Sequence, residues 1–408
     1  MSSTGPVLLG AYGAWIEDRL SAQERKYSFL DDGWSDAATW SREAKKAFAA
    51  QILSPELGTP SAAPRAEVTD RRVVDDLVVE ELSWRLPFGP PTRACFLKRA
   101  DAAGRLPGVV ALHDHGANKY FGWRKIADAQ ERIHPHVRDY RKLYYGGRAW
   151  ANELAKRGFG VLVHDIFPFG SRMIRVSDLP GPVVDRTMTR PEELRELTPE
   201  SVASGTVRAD YDVSREESIP EIDRYNAFAG HYESTIAKAL FSAGLSWPGL
   251  VLAEDRTALA YLASRPDIDP DRLGCCGLSG GGLRANYLAG TDERVRCSVT
   301  AGFMTTWADL ALHTAYTHTW MIYIPGLPRL MDFPDILAMR IPLPSLVLAT
   351  RQDPLFTLAE VRRAEATLAA SYRKAGAEDR FTMTYYDGPH RFDEPMQEEA
   401  FSWFERWL

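Results

Sequence analysis

At 408 residues the chain is long for one hydrophobic core and short for three domains, and its 45% apolar and 25% charged content is ordinary for a globular protein. A net charge of −6 offers no basic stripe for nucleic acid, and no stretch approaches the roughly 20 apolar residues of a membrane span. Cys95, Cys275, Cys276 and Cys297 show neither C-x-x-C spacing nor disulfide density, and Met1 to Gly10 lacks a basic, apolar leader, so a reducing, cytoplasmic setting is expected.

Residues 1–56 read as helices, Ala11 to Leu20 and then Asp36 to Leu53, where Trp40, Ala44, Phe48 and Ile52 recur at helical spacing. With Tyr27, Phe29 and Trp34 they form an arm that either packs on the rest of the chain or caps a substrate; packing is the favoured reading. A Pro/Ser/Ala/Gly-rich linker follows between Pro55 and Pro64. The expected organisation is therefore an arm and linker over 1–64 and a catalytic domain over 65–408, interrupted by an insertion at about 171–247.

Strands then begin. Val73 to Trp84 and Thr92 to Arg99 flank the turn Pro87-Phe-Gly-Pro-Pro91 and predict an antiparallel pair. Pro107 to His113 and Gly158 to Asp165 are short continuous apolar runs of buried parallel strands, separated by a helix from Gly147 to Arg157. That alternation predicts a βαβ unit in a doubly wound sheet. Residues 166–248 break the rhythm with many charges and prolines and one helix, Tyr225 to Leu240. The alternation resumes with a helix from Leu250 to Ser264, strands at Leu273 to Leu278, Arg296 to Gly302, Ser345 to Thr350 and Phe381 to Tyr386, and helices at Ala359 to Ala375 and Gln397 to Leu408.

The chemistry gathers at strand ends. Gly277-Leu-Ser279-Gly-Gly281 between a strand and a helix has the form of a nucleophile elbow, where glycines let strand and helix pass closely around an exposed serine. The first helical N–H, that of Gly280, has no intrahelical partner and can face an oxyanion. Asp353 follows one strand and His390 the next, giving the chain order Ser279, Asp353, His390, with Asp387 a competing acid. His113-Asp-His115 also follows a strand. The His115 N–H is the chosen second oxyanion donor; an H-x-H metal site is the rival, with His164-Asp165 the one similar pair elsewhere. His134 and His136, flanking a proline in a charged region, read as solvated. Phe228, His231 and Tyr232 in the insertion are candidate substrate contacts if that segment is a lid, the alternative being a surface excursion against the arm.

From about residue 73 onward the chain resembles the α/β-hydrolase superfamily, specifically its dienelactone-hydrolase-like branch with acetyl-xylan-esterase relatives. The residues carrying this are His113-Asp-His-Gly116 with Lys119, Asp165 to Arg172, Gly277 to Gly282, Arg351-Gln-Asp-Pro354 and Gly388-Pro-His-Arg-Phe392. Dienelactone hydrolases proper have cysteine at the elbow, where this chain has Ser279. The resemblance implies a three-layer α/β/α fold and a Ser-His-Asp esterase acting on a small or medium-sized ester, without cofactor. A peptidase or amidase on the same residues, and a non-catalytic binding protein, stay open, as does assembly into a homo-oligomer.

Overall fold

The computed structural model describes residues 7–22, 25–55, 63–129, 133–188 and 218–408. Most of the linker expected between Pro55 and Pro64, and residues 189–217 of the expected insertion, lie outside the described residues.

One nine-stranded sheet organises the chain: β1 Glu67–Val74, β2 Leu77–Trp84, β3 Thr92–Arg99, β4 Leu106–Leu112, β5 Gly160–His164, β6 Ile268–Leu278, β7 Val295–Ala301, β8 Ser345–Thr350 and β9 Phe381–Tyr386. Their spatial order is β1-β2-β3-β5-β4-β6-β7-β8-β9. β1, β2, β3 and β5 pair antiparallel in succession, and every pair from β5 to β9 is parallel. Residue burial follows from this placement. β5 and β8 are buried throughout and read as unbroken apolar runs, because helices cover both faces. The edge strand β1 is instead charged and largely exposed, which blunts pairing with another sheet.

The run from Val73 to Trp84 is not one strand. Asp75 and Asp76 take φ of 51° and 62° and turn the chain between Val74 and Leu77, which face each other across the β1–β2 hairpin. An Asp-Asp turn carries no glycine to announce it. A second correction concerns Pro135–Tyr144, a helix where the sequence shows only charge. His134 caps it by accepting the His136 N–H at 3.1 Å, and His136 lies 3.2 Å from Asp223, so neither is a merely solvated histidine.

Two hydrophobic layers flank the sheet. One holds Trp150, Leu154, Phe401 and Phe404; the other holds Leu259, Leu283, Tyr287, Leu337 and Leu368. The arm joins the second layer. Its helix Ala37–Gln51 starts at Asp36, whose side chain accepts the Thr39 N–H at 2.7 Å, and buries Trp40, Ala44 and Phe48. Phe48 packs 5.6 Å from Tyr287, on the helix after the elbow, and the Ser41 hydroxyl donates to the Met339 carbonyl at 2.5 Å. Each such aromatic is worth roughly 2–3 kcal/mol in burial. These contacts are those of a packing arm. No single helix among the described residues is long and apolar enough to cross a membrane.

Chain order sets where a site can form. From β4 the chain crosses to β5 on one side, then returns to β6 on the other, so the carboxyl ends of β4 and β6 flank a topological switch point. Open α/β sheets bind ligands in that crevice. Residues 113–119 leave β4 there, and Ser279 leaves β6.

Candidate active site

Ser279 sits at φ 58°, ψ −120°, between β6 and the helix Gly280–Thr291. A non-glycine residue held at positive φ is strained and persists only where its surroundings over-determine it. Here they do. The Ser279 N–H donates to the Ala301 carbonyl at 2.9 Å, and its own carbonyl accepts from Leu283 at 2.9 Å. A Cβ at Gly277 would stand 2.5 Å from the Leu112 carbonyl oxygen, and one at Gly281 would stand 2.1 Å from it, so both positions must be glycine.

β8 and β9 deliver the other two groups. The loops after them are stitched together: Arg351 N–H donates to the Tyr386 carbonyl at 2.9 Å and Gln352 N–H to the Gly388 carbonyl at 3.2 Å. Asp353 accepts the Leu355 N–H on Oδ1 at 2.9 Å and the His390 Nδ1–H on Oδ2 at 2.6 Å. The His390 ring therefore presents Nε2 to the cavity it shares with Ser279. Nε2 has no hydrogen-bond partner among the described residues, Ser279 included. Such bonds tighten when substrate binds. Asp387 points elsewhere. Its side chain is 81% exposed and pairs with Arg351 at 3.0 Å.

The loop after β4 is held from below. Lys125, fully buried, donates to the carbonyls of Asp114 at 2.6 Å and His115 at 3.0 Å. Burial lowers its pKa to about 8. In a trans peptide the N–H of His115 points opposite to the Asp114 carbonyl, hence away from Lys125 and toward the elbow. The His115 nitrogen lies 3.0 Å from where a Gly280 Cβ would be, so the backbones of His115 and Gly280 abut. Asp114 anchors the same loop by accepting from the hydroxyls of Tyr140 and Tyr145, supplied by the helix Pro135–Tyr144 and the residue after it.

Other histidines are committed within the protein. His113 is buried with Nδ1 3.0 Å from the Asp114 carbonyl, and His164 shares Asp255 with Arg284. Among the described residues no group of three or more His, Cys, Asp or Glu side chains could hold a metal ion.

The cavity over Ser279 measures about 240 Å³. Leu278, Leu283, Phe303, Ile322, Leu355 and Phe356 give it an apolar wall; Tyr144, Thr317, His318 and Thr319 add polar groups. Among the described residues no Lys or Arg lines it. The expected lid residues are elsewhere: Phe228 is buried and stacks on Tyr232 at 5.2 Å in a separate apolar cluster, His231 is exposed, and none of the three lines the cavity. Phe303, Thr317, His318, Thr319 and Ile322, between β7 and β8, supply much of the lining instead. That excursion leaves the same sheet edge and is as rich in aromatics and histidine as the insertion. The same reasoning applied to it would have found the wall.

Comparison with known proteins adds to this geometry. Residues 248–403 match the prolyl oligopeptidase family, Peptidase S9. YtaP of Bacillus subtilis (strain 168), provisionally named a hydrolase, is 23% identical over 335 residues, covering 82% of this chain and 89% of its own. A provisionally named acetyl xylan esterase of Bacteroides fragilis superposes with a TM-score of 0.61 at 16% identity, over 93% of this chain and 83% of that one. A glucuronoyl esterase of Solibacter usitatus gives 0.59 at 14% identity, over 93% and 96%. The chain has the α/β-hydrolase fold. α/β-Hydrolases carry their nucleophile on a sharp strand-to-helix turn, with triad partners following in the order Ser, Asp or Glu, His. Ser279, Asp353 and His390 occur in that order, after β6, β8 and β9.

Proposed function

We propose that this protein is a serine hydrolase that cleaves a neutral carboxylic ester of small or medium size. The observation carrying this reading is one convergence: a strained Ser279 and the free nitrogen of an Asp353-held His390 face the same cavity, beside the abutting backbones of His115 and Gly280. Ser279 attacks the ester carbonyl while His390 Nε2 takes its proton. Asp353 keeps the proton on Nδ1 and stabilises the imidazolium. The N–H groups of Gly280 and His115 receive the oxyanion, each such donor being worth roughly 3 kcal/mol. His390 then returns the proton to the leaving alkoxide, and water repeats the cycle on the acyl-enzyme.

Cavity size and lining support the substrate class: an apolar wall for the acyl or alcohol part, a few hydroxyls and, among the described residues, no Lys or Arg to select a carboxylate. The names of the structural neighbours agree with ester chemistry. A second reading, peptidase or amidase, is favoured by the match to the prolyl oligopeptidase family over residues 248–403. Turnover of a p-nitrophenyl ester against its matched anilide separates them, ester preference of about a hundredfold or more being expected. A fluorophosphonate probe should label the wild type at Ser279 and leave a folded Ser279→Ala unlabelled. Labelling that persists in Ser279→Ala would remove the basis of both readings.

A further inference from the structure

Glu233 lies on the helix Ile219–Ser242, in the segment expected to form a lid, one position beyond the residues singled out there. Its side chain turns inward and is 7% exposed. Burying a carboxylate is costly unless every lone pair is used, and here they are used by two separate segments. Oε1 accepts from His115 Nε2 at 2.6 Å and from Lys119 Nζ at 2.5 Å, both on the loop after β4. Oε2 accepts from the Thr319 hydroxyl at 2.8 Å and the Trp320 N–H at 3.1 Å, both on the wall between β7 and β8. His115 and Thr319 line the cavity; Glu233 does not.

The histidine link is directional. His115 Nδ1 accepts the Ala117 N–H at 3.2 Å, so the ring's proton is on Nε2 and donates to Glu233. Burial holds His115 below its ordinary pKa, which keeps the ring neutral at pH 7 and leaves Lys119 as the cation of the cluster. The ring thereby closes the 115–117 turn from inside, and Glu233 fixes the ring. A turn fixed at its side chain is fixed at its backbone, and the backbone of this turn carries the His115 N–H.

We infer that Glu233 is a positioning residue for the hydrolytic reaction: from the inserted helix it locks the oxyanion loop, through His115 and Lys119, to the Thr319–Trp320 wall of the substrate cavity. This rests on the serine-hydrolase reading above. It also assigns a role to the inserted helix, whose Asn226 holds the same loop further along by accepting the Lys119 and Tyr120 N–H groups at 2.9 and 3.0 Å. Misplacing an oxyanion donor weakens the transition state more than the bound ester, so the loss must fall on kcat rather than KM.

Glu233→Gln keeps the shape and removes the charge that Lys119 and His115 share. With p-nitrophenyl acetate its kcat is expected to fall about tenfold to a hundredfold, with KM within about threefold. Affinity for an alkyl boronic acid, whose adduct with Ser279 mimics the tetrahedral oxyanion, should fall by the same factor. Lys119→Met is the second variant, expected to lose about fivefold in kcat with KM unchanged, and it decides the matter if Glu233→Gln does not fold. A folded Glu233→Gln, or failing that a folded Lys119→Met, with kcat and boronate affinity within about twofold of wild type would overturn the inference. So would a loss that falls on KM alone. Wild-type protein that the fluorophosphonate probe does not label would overturn the function reading itself, a distinguishable result.

Discussion

The two sides of the cavity are built on different principles. On the β6–β9 side, Ser279, Asp353 and His390 each follow their own parallel strand, and backbone bonds between adjacent loops hold them. On the β4 side, a short loop is held by side chains drawn from three distant places: Lys125 beneath it, Tyr140 and Tyr145 behind it, and Glu233 from the inserted helix. The first side inherits its geometry from the sheet. The second must assemble its geometry from buried polar contacts, each costly to bury alone. Under the proposed mechanism, the contrast makes nucleophile and base the robust parts and the oxyanion donor the adjustable one.

That contrast can be broken in order of expected effect. On the strand side, Asp353→Asn should lower kcat about ten-thousandfold by letting the wrong His390 tautomer form. Asp387→Asn should stay within about twofold, because its exposed pair with Arg351 lies outside the site. Steady-state kinetics on both variants decides; a crippled Asp387→Asn beside an active Asp353→Asn would reassign the acid. On the loop side, Lys125→Met should cost about tenfold to a hundredfold in kcat with KM little changed, since it frees the Asp114 and His115 carbonyls that orient the donor. Unchanged kcat in folded Lys125→Met would show that the loop holds its shape without the lysine, and the contrast would fail.

The smallest effect concerns stability, and it lies away from both sides. Burial raises Asp335 from 3.8 to about 7, in the helix Phe333–Ala338 that packs near the arm. The folded protein therefore keeps this proton over a window in which the unfolded chain has released it. The contribution is fully present below about pH 4 and is lost as pH rises through about 7, at most about 4 kcal/mol. Glu254, raised likewise to about 7, acts in the same direction. Urea midpoints between pH 4 and 8 should thus fall less steeply in Asp335→Asn than in wild type, with kcat unaltered. Equal slopes would mean that Asp335 is ionised in the folded protein across that range.

What could be read in advance follows the same division. Ser279, Asp353 and His390 were legible because strand ends are legible: continuous apolar runs mark buried strands, and whatever follows them must lie on one edge. Gly277 and Gly281 announced the elbow since no other residue fits against the Leu112 carbonyl. The β1–β2 hairpin was missed because Asp75-Asp76 turns without glycine, and the Pro135–Tyr144 helix because its buried Arg141 and Tyr140 look like surface residues until their partners are known.

The inserted helix shows where the sequence stops. Its amphipathic pattern separates an inward face from an outward one but does not say what the inward face meets. Phe228 and Tyr232 found an apolar cluster of their own, and Glu233 found His115, Lys119, Thr319 and Trp320. By itself the sequence determined most of the sheet, the glycine-flanked turn at Ser279 and the order of the proposed catalytic groups, because each depends on local periodicity and on the backbone's need for paired hydrogen bonds. Only the tertiary structure decided which residues line the cavity and which buried carboxylate meets the loop after β4. A buried charge is placed by partners more than 80 residues away along the chain, and no local pattern encodes that distance.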